Sequence, residues 1–342
     1  MAGLITSTSD IPGEFQGYYD RTLLQNATKI LLYDKFGQTR PLPSNMGTRI
    51  NFKRFGKLPI NTSTLAEGVT PQGKKLSAVT IYATLAQYGD YVTLTDWVQL
   101  TSLDSNLLSI AKELLADQMA ETADILTRNT LLTGTTVRYA GGTVTTRATV
   151  NAAMTDTDID AIVRTLENNR AKKITSMFSP DSRTNTVPIR PSYVAITHTD
   201  ARYDIEKLTG HVPPENYSKS DGLGTYEGEI IDLGAVKGIR FLATDQCKIW
   251  QAGGDLAATY TTLIADDSTN IDVYGTLVFA RNAYGLIPLQ KGNVKNIVKG
   301  LGSAGTEDPL DQRATTGWKM AKTQKILNED WLLRFEHGCT KL

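Results

Sequence analysis

Apolar residues recur at steps of three and four through residues 103–133. Leu108, Ala111, Leu115, Met119 and Leu126 follow one another, with Thr122 in register. A second row, Leu107, Ile110 and Leu114, runs beside the first over the opening turns. The spacing predicts a helix with both rows on one side and Lys112, Glu113, Asp117, Glu121 and Arg128 on the flanks and far side. Asp104 or Ser105 can cap its start, and Gly134 is a natural stop. Nearly thirty residues at the helical rise make a rod of about 43 Å. Such a rod is either a strut laid across a sheet or a neighbour, or the long core helix of an enzyme.

Elsewhere the periodicity is mostly two. Residues 1–17 are small, polar and turn-rich, a loose arm. Leu23, Leu24, Ala27, Ile30, Leu31 and Phe36 then mark a short amphipathic helix ending at Gly37. Two prolines and a glycine in residues 38–49 predict an extended connector free of regular structure. Residues 48–58 alternate as a half-exposed strand, and so do residues 79–96, taken as one strand. About twenty polar residues join them, an over-long hairpin tip. A two-stranded ribbon is barely stable alone, so it is either a flexible surface hairpin or one that lies on another subunit.

A Gly- and Thr-rich crossover follows. A second helix is expected over 155–172, capped by Thr155 or Asp156, with Ile159, Ile162, Val163 and Leu166 as its stripe. Residues 193–197 read as a buried strand leading through Thr199 and Asp200 into a short helix, and 210–229 as a surface loop. Strands are expected within 230–244, 247–253 and 270–289. The tail, 315–337, reads as two strands with Leu327, Asn328, Glu329 and Asp330 as a hairpin turn.

The chain has 342 residues, 40% hydrophobic and 21% charged, the balance of a globular protein with a sizeable core. Lys and Arg number 36, as do Asp and Glu, so net charge requires no nucleic-acid or membrane-surface partner. No run of 18 apolar residues and no signal-like start is present, so neither a span nor a secretory leader is expected. Cys247 and Cys339 are too few and too far apart for a disulfide framework, and fit packing roles in a reducing cytoplasm.

Candidate chemistry is sparse. His198, His211 and His337 lack partners at metal-ligand spacing. No nucleophile elbow or phosphate loop occurs, and neither glycine pair (222–224, 300–302) follows a strand and opens a helix. Residues 155–160 space three carboxylates like part of a calcium loop but lack its glycine and terminal Glu; helix capping explains them better. His198 with Asp200, at a strand end, is the place an enzyme site would occupy; a cap is the plainer reading. The four tryptophans fit core or interface anchors, and Lys74 and Lys75 at the hairpin tip fit solvated charges or contacts to an acidic partner. The sequence implies no cofactor, no metal and no catalytic residue.

The order arm, long hairpin, long helix, α/β region and closing strands resembles the major capsid proteins of tailed bacteriophages, the Hong Kong 97-type fold. More narrowly, it is similar to the branch named after coliphage N-four. The likeness is carried by residues 18–38, 47–59, 65–71 and 85–96, then 274–289, 307–321 and 326–336. The central third matches in architecture only. The resemblance implies an α+β chain with an N-arm (1–47), an E-loop with flanking strands (48–96), a P-domain with its spine helix (97–150) closed by 311–342, and an A-domain (151–310). It implies N-arm docking through Leu23, Leu24, Ile30 and Leu31, and E-loop contacts between subunits through Leu65, Glu67, Lys74 and Lys75. Leu108, Leu115, Met119 and Leu126 would line the spine.

The implied function is structural. Copies form a homo-oligomer of hexameric and pentameric capsomers, closing an icosahedral virion shell around double-stranded DNA contacted without sequence preference. Partners implied are a separate scaffolding protein, a portal and a decoration protein, with no membrane. Cross-linking through Lys74 or Lys75 is not expected, because no matching pair with a catalytic carboxylate is evident. Flexibility is expected in 37–47 and 56–75. The alternatives are an encapsulin-like compartment of the same fold, or a cytosolic α/β enzyme with a site near His198 and Asp200.

Overall fold

The computed structural model of the chain describes residues 32–342 apart from 57, 66, 69, 71–72, 98–106, 179–185, 214–230, 268, 291–293 and 304–308. The arm, including Leu23, Leu24, Ile30 and Leu31, and most of the 210–229 loop lie outside the described residues. Three strand systems and one long helix make up the described body.

The first sheet has five strands: β1 (Gln38–Thr39), β4 (Ala86–Thr95), β12 (Tyr284–Pro288), β13 (Val294–Lys299) and β14 (Arg313–Ile326). β14 is its centre. β4 pairs antiparallel with residues 313–322 of β14, β13 with 315–320 and β12 with 322–326. Since β4 and β13 pair with the same stretch, they flank it on opposite edges. β13 is not foreshadowed by the sequence pattern, because its run, VKNIVK, carries no clean alternation.

Helix α1 (Leu107–Leu131, 25 residues) crosses this sheet. Leu115, Ala116, Met119, Ala120 and Ala123 meet Trp318 and Met320 of β14, with Tyr88, Leu126 and Val294 at the margin. The buried line keeps Ala111, Leu115 and Met119 of the expected row and widens toward Ala116, Ala120 and Ala123, away from the second row. Ile110 is exposed and Leu114 is 64% exposed. Alanines at 116, 120 and 123 let the helix axis approach the strands closely, which larger side chains would hold off. Of the expected second row, Ile110 and Leu114 face outward.

The second sheet has eight strands: β5 (Val137–Tyr139), β6 (Ile174–Phe178), β7 (Thr186–Thr197), β8 (Ile231–Val236), β9 (Ile239–Ala243), β10 (Ile249–Trp250), β11 (Val273–Phe279) and β15 (Leu332–His337). Its main path is β5-β15-β11-β7-β9-β8. Both faces are covered, so its central strands are buried and largely apolar on both sides, with Arg240, Thr276 and Glu336 among the buried polar exceptions. Ala195, Phe241, Val278 and Phe335 turn to one side and pack under Ile159, Ile162 and Leu166 of α2 (Asp156–Asn168). Ile196, Leu242, Leu277 and Phe279 turn to the other and pack on Leu32, Tyr33, Leu131 and Tyr284. The expected strand at 193–197 is the end of a longer one, and the short helix after it is α3 (Arg202–Glu206).

Three sequence expectations are corrected. β14 and β15 do not form a hairpin: they belong to different sheets, and residues 327–331 carry the chain across. The connector after Gly37 is not free of regular structure, since β1 pairs in parallel with β12 and Leu42 bridges to Leu289. Pro41 and Pro43 are compatible because only alternate amides bond the neighbour: Arg40 N–H donates to the Leu286 carbonyl at 2.8 Å and Leu42 N–H to that of Pro288 at 2.9 Å. Residues 79–96 are also not one strand. β3 (Ala78–Thr84) pairs with β2 (Arg49–Phe55), and after Leu85 the chain changes partner as β4.

Candidate intersubunit surfaces

The ribbon β2–β3 is rooted in a small cluster and then leaves the body. Ala83 is buried with Leu42 and Ile287, and Ile50, Phe52 and Leu85 pack against them. Arg54 Nη1 donates to Asn328 Oδ1 at 2.5 Å, and the Arg49 guanidinium lies 3.8 Å from the centre of the Tyr82 ring. Seven cross-strand pairs run from Arg49–Thr84 to Phe55–Ala78. Past that end, Gly56 N–H donates to the Ser77 carbonyl, and the Lys74 ammonium donates to the Pro59 carbonyl at 2.8 Å, tying the two legs of the tip.

What the ribbon displays is apolar. Phe55, Leu58, Leu76, Val79 and Tyr82 are exposed, Leu65 is 73% exposed and Ile60 90%. Scattered exposed apolar residues are ordinary, but a file of them along one extended element marks a contact surface. Residues 49–77 also hold six Lys or Arg against one acid, Glu67, in a chain of zero net charge. Leu65, Glu67, Lys74 and Lys75 all lie exposed on this tip. Of the expected spine residues, Leu115 and Met119 are buried, and Leu108 and Leu126 half-buried.

A second surface was not foreseen. On the face of the first sheet turned away from α1, an open groove of about 570 Å³ runs between β4, β14 and β13, walled by Tyr91, Ile297, Lys299 and Lys319. Gly89 and Gly317 floor it. A Cβ on Gly317 would come within 2.6 Å of Tyr91 Cβ, and one on Gly89 within 2.7 Å of the Trp318 carbonyl oxygen. Glycine inside a strand pattern is the signal that would have pointed to such a close approach.

The residues considered for chemistry take structural roles. His198 caps the turn Thr199–Ala201, its Nδ1 accepting from Asp200 N–H at 3.3 Å and lying 3.0 Å from Asp200 Oδ2. The Tyr274 hydroxyl donates to the same carboxylate at 2.8 Å, and burial together with that acceptor raises its pKa. The three carboxylates of 155–160 are each tied to neighbouring side chains, Asp156 and Asp160 sharing Lys237. Asp156 accepts from Thr209, Asp158 contacts Arg138 at 3.4 Å, and Asp160 contacts Lys237 at 2.7 Å. Thr155 caps α2 through Asp158 N–H. His211 bonds the Leu233 carbonyl at 2.7 Å, and His337 is buried, which lowers its pKa. Among the described residues, no cluster of His, Cys, Asp and Glu is fit to hold a metal, and no helix is long and apolar enough to cross a membrane.

No protein-family profile matches the chain, and no curated protein does. Solved structures do. The capsid of Ralstonia phage GP4 superposes with a TM-score of 0.61 at 13% identity, over 90% of this chain and 88% of that one. The capsid of cyanophage Pam1 gives 0.58 at 13% over 93% of each, and that of cyanophage P-SCSP1u gives 0.54 at 16% over 91% and 89%. The chain has the Hong Kong 97-type phage capsid fold. At these identities the likeness speaks for the fold, and it runs through nearly the whole chain, including the central third where no motif guided the sequence comparison. The narrower likeness to the coliphage N-four branch rests on sequence motifs alone.

Proposed function

We propose that this chain is the major capsid protein of a tailed bacteriophage, building the icosahedral head shell from copies of itself. The observation that carries the reading is the near-complete match, about nine-tenths of both chains, to phage capsid subunits. The file of exposed apolar residues on the ribbon supports it, since such an element gains stability only by lying on a neighbour.

Residues 48–96 are proposed as the E-loop and its flanking strands, 1–47 as the N-arm, and 97–150 with 311–342 as the P-domain on its spine helix. Residues 151–310 form the A-domain, from which β12 and β13 run into the P-domain sheet. Leu65, Glu67, Lys74 and Lys75 contact the next subunit, and Leu23, Leu24, Ile30 and Leu31 dock the arm. Head-to-tail contacts of this kind close into hexamers and pentamers without any chemistry. Each subunit is held at several points, which multiplies weak affinities. Scaffold, portal and decoration proteins and packaged double-stranded DNA are the proposed partners, and the virion the proposed location.

Deleting residues 60–75 tests the reading. The shortened subunit should keep its thermal transition, because the segment contributes nothing to the buried clusters, yet form no shells or tubes by negative-stain microscopy. Undiminished assembly would remove the ribbon from the interface. Native particles should contain double-stranded DNA; empty particles carrying protein cargo would indicate a compartment of the same fold instead.

A further inference from the structure

The first described turn of the chain is fastened to the long helix by buried polar side chains. Asp124, in the last third of α1, is 1% exposed, and its Oδ1 accepts N–H bonds from Leu32 at 3.0 Å and Tyr33 at 2.8 Å. These amides open the turn Tyr33–Lys35, and the carboxylate serves as their acceptor. Beside it lies a second carboxylate, Asp34, which accepts from the Thr127 hydroxyl at 2.7 Å and from the Lys322 ammonium of β14. Lys322 also donates to Thr127 Oγ1 at 3.2 Å and to the Ala123 carbonyl at 3.3 Å. Lys322 bonds to Asp34, Thr127 and Ala123, so among the described residues Asp124 is the one of the two carboxylates without a bonded cation.

Other groups face Asp124 from each element around it. The Tyr33 hydroxyl contacts Cys247 Sγ at 3.2 Å, and the Tyr284 hydroxyl donates to the Tyr33 carbonyl. Burial pushes both tyrosines up, and the Cys247 thiol up to about 12, so all three stay neutral. Two further cations stand at the rim. Lys35 is half-buried, and burial lowers its pKa. Arg128 turns its guanidinium to the Gln246 carbonyl at 2.5 Å.

We propose that Asp124 is a proton-gated latch: with a proton bound it keeps the base of the N-terminal arm clipped to α1, and on ionising it lets residues 32–36 open. Burial lifts this carboxyl to about 7 and the charge of Asp34 adds to the rise, while the two amide bonds and Lys322 pull the other way. In the opened turn the group meets water and returns to its ordinary 3.8. Between those values the clipped form holds a proton that the open form sheds. Opening therefore releases one proton and becomes about tenfold easier per pH unit, levelling off above about 7, where both forms are ionised. The clip is firmest on the acid side and weakens as the pH rises toward neutrality.

Amide hydrogen exchange at Leu32 and Tyr33 in the full chain, from pH 5 to 9 and corrected for the chemical exchange rate, reads this directly. The opening constant should climb about tenfold per unit to near pH 7 and then stay level. Asp124→Asn, which keeps the accepting oxygen but cannot ionise, should give a flat profile. A wild type without the slope, or an Asn variant that retains it, overturns the latch. Should the variant fail to fold, infrared spectroscopy of the wild type decides: a protonated-carboxyl band present at pH 5.5 and gone by pH 8.5 is the expected result. A carboxylate ionised throughout sinks the proposal. Neither readout depends on shell assembly, so this inference and the capsid reading stand or fall separately.

Discussion

Glu336 shows how much one residue can depend on strands far from it in sequence. It is fully buried in β15, where Arg147 Nε and Nη2 reach its two oxygens at 2.7 and 2.8 Å and Arg334 Nε lies 2.8 Å from Oε1. The Arg147 guanidinium stacks 3.8 Å from the centre of the Trp250 ring, joining β10, β15 and the turn before residue 150. Removing the charge while keeping the shape strands both arginines. Glu336→Gln should cost about 2–3 kcal/mol, less than a fully buried pair would because Arg147 can rehydrate. A shift of the urea midpoint at constant slope measures it. In the sequence this Glu sits in a strand like any solvent-facing charge, and nothing local marks it. The Thr155 cap is the opposite case, legible because its donor lies three residues away.

At the scale of elements, α1 was located correctly by its period, and its first apolar row, through Ala111, Leu115 and Met119, is buried; of the second row, Ile110 and Leu114 are exposed. Spacing placed Leu107, Ile110 and Leu114 on the same side as the row through Leu115 and Met119, because hydrophobicity alone favours Ile110 and Leu114 over the alanines at 116, 120 and 123. The sheet chooses. Met119→Ala should destabilise the isolated subunit by about 2–5 kcal/mol, whereas Leu114→Lys should change it by less than about 0.5. Thermal denaturation of the two variants side by side distinguishes the faces; equal losses would put Leu114 back in the core. The tail teaches the same lesson for strands. Residues 315–337 contain two strands and a turn, as their alternation indicates. Which partner each strand takes depends on β4, β12 and β13 for one and on β11 and β5 for the other.

At the scale of the whole molecule, charge is balanced in sum and unbalanced in place. Residues 49–77 carry a strong excess of base on an exposed ribbon, so the remainder holds an equal excess of acid, part of it on the outer face of α1 at Glu113, Asp117 and Glu121. A basic loop reaching over an acidic neighbour speeds the encounter of copies and is screened by salt. Replacing Lys74 and Lys75 together by Glu should slow assembly, followed by light scattering, and flatten its dependence on ionic strength. The fold of the monomer should be untouched, because both side chains are exposed. A double variant assembling at the wild-type rate would place the tip outside the contact.

The amino-acid sequence by itself determined where the long helix lies, where α2 begins and which segments alternate as strands. These depend on neighbours within a few residues, where backbone geometry turns spacing directly into a shared face. Only the tertiary structure decided how the strands are dealt between two sheets, that Ile110 and Leu114 of α1 stay exposed, and that Asp34, Asp124 and Lys322 meet in one buried cluster. Those contacts join residues about ninety to three hundred positions apart. Their energy comes from water excluded when the whole body closes, and a local pattern carries no record of that.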